Sequence, residues 1–200
     1  MSCLEALERR YACKLFDPKY RLSKEEIKKI LEYGRLSPSS FGMEPWRFVV
    51  VESQKHKEAL RPLCWDQPQI TTCSHLLIIL ADKASVQDEA YIEAMFARRG
   101  LDKEATAAYI RRYKEFLANQ DISCWTQKQC YIAAANMMSG AAEDGIDSCP
   151  IEGFEKERVE RYLGLDSAKL EVALLIAFGK CAKEAPKKQR LPLKRLVRWL

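Results

Sequence analysis

The sequence predicts a single α+β domain, and three observations carry that expectation. Apolar, β-rich runs at Trp46–Val51, His75–Ala81 and Leu170–Lys180 read as strands. From Cys130 to Ala142 the chain has no charge and no Pro, and it is rich in Ala and Met, so it reads as a helix that is apolar almost all round. Neither an internal repeat nor a long linker divides the 200 residues, which suit one domain spanning 1–200.

Taken in order, Leu4, Leu7, Tyr11 and Leu15 recur at helical spacing and predict an amphipathic helix ending near Phe16-Asp17-Pro18. In it, Arg10 and Lys14 would share a face. Ser23 and Glu26 form a capping-box pattern that opens a second helix, which stops between Gly34 and Pro38. The following stretch, Ser37 to Trp46, is rich in turn formers and aromatics but poor in charge, unusual for a solvated loop. After the first strand, Gln54–Leu63 reads as a short charged helix. The second strand is apolar enough to be buried on both faces. Residues 85–119 form a mostly helical excursion with several aromatics.

The central helix has small residues at Ala133, Ala134, Ala135, Ser139, Gly140 and Ala141, which suit close approach in a core or a subunit interface. Gly145 fits a left-handed position after its end. Asp147 to Phe154 then runs extended into a Pro/Gly-bounded loop whose backbone N–H groups could face a ligand. Glu155–Leu163 is a short helix, and a basic C-terminal arm occupies about 183–200.

The composition is 48% hydrophobic and 30% charged, ordinary for a soluble globular protein, and the net charge of +5 is modest. It lacks the clustered excess of a nucleic-acid binder except near the C-terminus. The N-terminus has no signal-peptide pattern, and the longest aliphatic run, Leu76–Leu80, is too short to span a membrane. These features predict a cytoplasmic protein whose eight cysteines remain thiols. Without a C-x-x-C, and with His56 and His75 as the only histidines, no metal site is expected. His75, opening a strand beside Ser74, reads as structural. No G-x-S-x-G, G-x-G-x-x-G or P-loop occurs, and no stretch singles out a carboxylate pair. A bound cofactor that brings its own reactivity is the remaining source of chemistry. Arg10, Lys14, Lys188 and Arg190 are candidate phosphate ligands, each alternatively an ordinary surface charge.

Read together, several short motifs acquire meaning. Arg10-Tyr-Ala-Cys-Lys14-Leu-Phe16-Asp17, Leu36-Ser-Pro-Ser-Ser40 and Pro45-Trp-Arg-Phe48 resemble the start of the FMN-dependent nitroreductase family. Asp66-Gln-Pro-Gln69, Gln129-Cys-Tyr-Ile132, Pro150-Ile-Glu-Gly-Phe154 and Lys188-Gln-Arg-Leu-Pro192 follow in family order. The resemblance covers nearly the whole chain. Cys13-Lys14, Asp147-Ser-Cys149 and the terminal Trp199-Leu200 look most like the oxygen-insensitive members that activate metronidazole.

The resemblance implies a three-layer αβα fold, a mostly antiparallel sheet and an intertwined homodimer with FMN bound at the subunit interface. NAD(P)H would reduce the flavin, and a nitro compound or quinone would then take the electrons in a ping-pong cycle. By the same resemblance, Arg10, Lys188 and Arg190 hold the FMN phosphate, and Lys14 faces the pyrimidine edge. Pro38, Ser39 and Ser40 come from the partner subunit. Asp66 and Gln69 lie near the pyrimidine and nicotinamide pocket, with Gln129 in a matching segment. Pro150, Ile151, Glu152 and Gly153 form the floor, where backbone N–H groups of Glu152 and Gly153 meet the ring. No side-chain acid or base is implied, nor any nucleic-acid, membrane or metal partner. Ala12 stands where the family usually carries Ser, Glu44 where Gln is usual, and Asp66 where Asn is common. The alternative reading is a non-catalytic flavin binder or a thiol redox sensor, motivated by the cysteine count.

Overall fold

The computed structural model describes residues 2–200 and is built around a four-stranded antiparallel sheet. Its strands are β1 (Trp46–Val51), β2 (His75–Asp82), β3 (Asp147–Ile151) and β4 (Leu170–Gly179), in the order β1-β2-β4-β3. Every residue of β2 is buried, as its unbroken apolar run predicts for a central strand. One sheet face carries Leu77, Ile79, Leu174, Ile176 and Phe178 into a core shared with α2 (Lys24–Arg35) and α7 (Ile122–Glu143). The opposite face carries Leu76, Ile78, Leu175 and Ala177 into a second core. That core takes Leu60 from α3 (Gln54–Leu60), Ile70 from α4 (Gln69–Thr72) and Val159 from α8 (Lys156–Tyr162). Helices on both faces make the fold α+β in three αβα layers. A bulge at Ala173, where Ile79 pairs with Leu174 but Leu80 pairs with Val172, resets the alternation and keeps Val172 on the second face.

The excursion forms α5 (Glu89–Ala97) and α6 (Lys103–Leu117), and its aromatic side chains make a third core. Tyr113 is fully buried and donates to the Val86 carbonyl at 2.7 Å, with Phe41 edge-on to its ring. What the excursion covers is the loop after α2. Arg98 pairs with Glu44 at 2.8 Å, and Arg99 donates to the Phe41 carbonyl at 2.8 Å. Glu44, one of the departures from the family pattern, therefore has a local partner.

Two expectations are corrected. The first helix, α1 (Cys3–Arg9), does not reach Phe16; at Arg10 the backbone turns extended. Residues 10–17 lie instead against the sheet, with Ala12 bridged to Ser148 and Phe16 to Cys181. The periodicity misled because Leu4 and Leu7 are exposed, whereas Cys13 and Phe16 are the residues buried. Arg10 and Lys14 still share a side, now joined by Ala12 through the two-residue repeat of extended chain. The cysteines are not all thiols: Cys13 and Cys181 form a disulfide, and six remain free. The bridge of Phe16 to Cys181 sets residues 10–17 beside the root of the arm, and this proximity of Cys13 and Cys181 is one that sequence position could not reveal.

Three local expectations hold, on a cap, a glycine and a histidine. Ser23 and Glu26 form the capping box of α2, and Gly145 has φ 78°. His75 is buried, and its Nδ1 lies 3.0 Å from Ser74 Oγ. Among the described residues, no helix is long and apolar enough to cross a membrane.

A buried carboxylate ties three elements together. Glu171, at the start of β4, accepts from Lys156 at 2.6 Å, Gln127 at 2.9 Å and Ser123. Burial alone would raise its pKa, but these bonds outweigh burial and bring it down to about 2. Because the folded pKa lies below the unfolded one, the stabilisation is complete above about pH 4.5 and is lost as the pH falls towards 2. Urea denaturation from pH 5 to 2.5 should show the parent losing about 1–2 kcal/mol more than Glu171→Gln over that range. Parallel pH profiles would disprove the role.

Candidate active site

The site begins where α1 ends. Arg10, Tyr11 and Ala12 face Pro186, Lys187, Lys188, Gln189 and Arg190 across a cleft of about 360 Å³. Lys188 Nζ donates to the Arg10 carbonyl, which fixes the arm against the 10–14 segment. Among the described residues, no ion pair involves Arg10, Lys14, Lys188 or Arg190. Burial first, then the neighbouring Arg190, lowers the pKa of both Arg10 and Lys188. Arg10 Nε is buried without a hydrogen-bond partner. Three cations held together without a carboxylate fit an anion, which would offset their mutual repulsion and accept from Arg10 Nε.

From there a line of polar contacts leads along the end of β3. Lys14 Nζ lies 3.5 Å from Cys149 Sγ. Burial pushes the Cys149 thiol pKa up, while the charges of Lys14 and Arg10 pull it down. On the far side of that sulfur, at 4.0 Å, is Gln69 Nε2, which donates to Gln67 Oε1 at 2.7 Å. Gln67 in turn donates to the Gly153 carbonyl at 2.7 Å. Tyr131 of α7 donates to Glu152 Oε1 at 2.6 Å. The Pro150–Gly153 floor is thus pinned from both sides. Gly153 lets the Trp65 ring rest on this loop, since a Cβ would lie 2.6 Å from it. Gly153→Ala should displace the Trp65 ring, readable as a shift in its fluorescence maximum, with a stability loss of no more than about 1 kcal/mol because the ring is exposed. An unchanged spectrum would mean the ring does not rest on this loop.

The structure therefore brings together Arg10, Ala12, Lys14, Gln69, Glu152, Gly153, Lys188 and Arg190, with Pro150 and Ile151 in β3 beneath. Asp66 is exposed at a left-handed backbone position with φ 51°. Its carbonyl accepts from Arg61 Nε. Pro38, Ser39 and Ser40 form a separate cluster within the chain. Gln129 Oε1 accepts from the Ser40 N–H at 2.9 Å, and Ser39 Oγ accepts from the Glu44 N–H at 2.9 Å. Three contributors were missed in the sequence: Gln67, Tyr131 and the Cys149 sulfur. All three lie inside the motifs that carry the resemblance, but their roles come from contacts between segments far apart in the chain. A further buried hydroxyl without a partner, Ser148 Oγ, belongs to the residue bridged to Ala12.

The fold agrees with that of known relatives. The nitroreductase family model matches residues 7–180, and the chain belongs to that family. A Staphylococcus haemolyticus protein, provisionally named an NAD(P)H nitroreductase, is 39% identical over 212 residues, covering 98% of this chain and 96% of the relative. The crystal structure of a nitroreductase-like protein from Streptococcus mutans superposes with TM-score 0.90 at 25% identity, covering 98% of this chain and 97% of that one. A provisionally named nitroreductase from Exiguobacterium sibiricum, solved in complex with FMN, gives TM-score 0.86 at 25% identity, covering 100% and 98%.

Proposed function

We propose that this protein is a cytoplasmic, FMN-dependent oxidoreductase that draws electrons from NAD(P)H and passes them to nitroaromatics, nitroimidazoles or quinones. The observation that carries the reading is the cluster of Arg10, Lys188 and Arg190, three cations without a carboxylate and with Arg10 Nε unpartnered. A phosphate monoester supplies the missing charge and acceptors. The solved Exiguobacterium relative holds FMN on the same fold, in agreement with this choice of ligand.

Bound FMN supplies the hydride chemistry. The chain's own residues bind and orient. Arg10, Lys188 and Arg190 anchor the phosphate. Lys14 would present an ammonium to the pyrimidine side of the flavin and supply positive charge there. The Glu152–Gly153 backbone offers N–H donors from a floor that Gln67 and Tyr131 hold still. A single open face used in turn by reductant and acceptor would give ping-pong kinetics and a broad acceptor range.

A second copy of the chain completes the site in this reading. Pro38–Ser40 sit apart from the cations within one chain. On α7, Tyr131, Ile132 and Ala135 form an exposed, largely apolar stripe. The arm exposes Leu193 at 74% and Trp199 at 91%. Surfaces of this kind belong in large obligate interfaces rather than in water. Ala134 and Ala141 are interior to the single chain, at 1% and 0% exposure, so in this reading the interface face of α7 is the neighbouring stripe.

The purified protein should be yellow, release FMN on denaturation, and be bleached anaerobically by NADH or NADPH. A nitroimidazole should then restore the colour. Protein that neither retains nor rebinds FMN would refute the assignment. Flavin that binds but resists both nicotinamides would favour the non-catalytic alternative.

A further inference from the structure

We propose that the Cys13–Cys181 disulfide is a redox modification site that clasps the C-terminal arm onto the anion-binding cluster, and that a dithiol reductant opens it and loosens FMN. The inference rests on the reading of that cluster as the FMN phosphate site.

The bridge joins two segments that each carry part of the cluster. Cys13 lies between Ala12 and Lys14, and Cys181 stands seven residues before Lys188. At its root the arm is also held by hydrogen bonds, among them Tyr11 to Cys181 Sγ at 2.5 Å and Lys180 Nζ to the Gly145 carbonyl at 3.4 Å. Asp17 N–H donates to the Lys180 carbonyl at 2.8 Å, Ala182 N–H to the Leu15 carbonyl at 3.0 Å, and Tyr11 to the Lys183 carbonyl at 2.8 Å. Cys181 N–H donates to Asp147 Oδ2 at 2.8 Å, and Asp147 is itself paired with Arg9. Beyond Lys183, among the described residues, Lys188 Nζ to the Arg10 carbonyl is the one hydrogen bond from the arm to the rest of the chain. Without an anion, Lys188 and Arg190 are repelled by Arg10. Their position therefore depends on how firmly the root is fixed. A covalent tie sets a high effective concentration of arm cations at the site, and opening it lowers that concentration.

Access to the two sulfurs is unequal. Cys13 has no exposed surface, whereas Cys181 is half-buried and lines a cleft of about 380 Å³ with Tyr11, Asp147 and Lys183. A thiolate of the reductant attacks Cys181 Sγ. The S–S bond breaks, and its electron pair leaves on Cys13, which takes up a proton. The reductant's second thiol then attacks the mixed disulfide, releasing Cys181 as a thiol and leaving the reductant as its own disulfide. Two electrons and two protons pass to the cysteine pair.

The test is FMN titration of flavin-stripped protein, followed by quenching of flavin fluorescence, before and after treatment with a small dithiol. Free thiols are counted under denaturing conditions in each state. Reduction should raise the thiol count from six to eight. It should raise the FMN dissociation constant about tenfold, mainly through faster release. Cys181→Ser should bind at the weaker value and no longer respond to the dithiol. Equal affinity in both states, with the thiol count showing the bridge opened, would overturn the inference, as would eight thiols before treatment. Protein that binds FMN in neither state would overturn the cofactor reading as well.

Discussion

Arg10→Ala should raise the FMN dissociation constant by roughly 10²–10³-fold while leaving the flavin-free protein at least as stable as the parent. The two effects have opposite origins in one geometry. With phosphate bound, the half-buried guanidinium gains charge-assisted bonds, including one from Nε, which has no partner inside the chain. Losing a desolvated pair of this kind costs about 3–4 kcal/mol, and each 1.4 kcal/mol is tenfold in affinity. Without the anion, Arg10 sits beside Arg190 and Lys188, and burial disfavours its charge. Removing it relieves repulsion. Thermal melts of the stripped proteins, set beside calorimetric titration with FMN, separate the two. A large fall in stripped-protein stability with affinity retained would make Arg10 a structural residue. The Lys188 side chain should behave less steeply, since it also donates to the Arg10 carbonyl and so helps to place the arm.

Adjacent positions on α7 should give opposite failures. Ala135→Arg, on the exposed stripe, is expected to leave a folded chain that no longer dimerises and retains little FMN. Ala134→Arg, at 1% exposure within the core of α2, α7 and the sheet, should prevent folding altogether. A charge forced into that core, with no partner and no room, costs more than about 4–5 kcal/mol, a large part of a typical domain's stability. The charge at 135 costs nothing in the isolated chain and acts only when a second surface must cover it. Light scattering after size exclusion, with circular dichroism, distinguishes the outcomes. A flavin-loaded dimer from Ala135→Arg would move the interface off this face. A folded, soluble Ala134→Arg would contradict the packing of α7.

Much of the fold was legible because its signals are local. The unbroken apolar run of β2 could only be a doubly covered strand. The Ser23–Glu26 capping box places the start of α2 by hydrogen bonds that span three residues. The uncharged Cys130–Ala142 stretch reads as a helix of a core or an interface, although the sequence could not say which flank faces its own core and which is left bare. That depends on where α2 and β2 lie around it, which made Ala134 interior and Ala135 exterior. The 10–17 segment shows the limit most clearly. Its apolar spacing fits a helix as well as an extended strip, and the choice is made by β3 and the root of the arm. These lie more than 130 residues away and offer Ser148 and Cys181 as pairing partners.

The candidate site divides along the same line. By itself the sequence determined which residue types are available: the cations at 10, 14, 188 and 190, the Gln69 amide, and the Pro-Ile-Glu-Gly loop. Only the tertiary structure decided that the cations converge without a carboxylate, that Gln67 and Tyr131 hold the floor, and that two of the eight cysteines are joined. Charge and backbone propensity are properties of single residues and near neighbours. An uncompensated cluster, a pinned loop and a disulfide are properties of distances between segments, which exist only once the sheet has set the register of every strand packed on it.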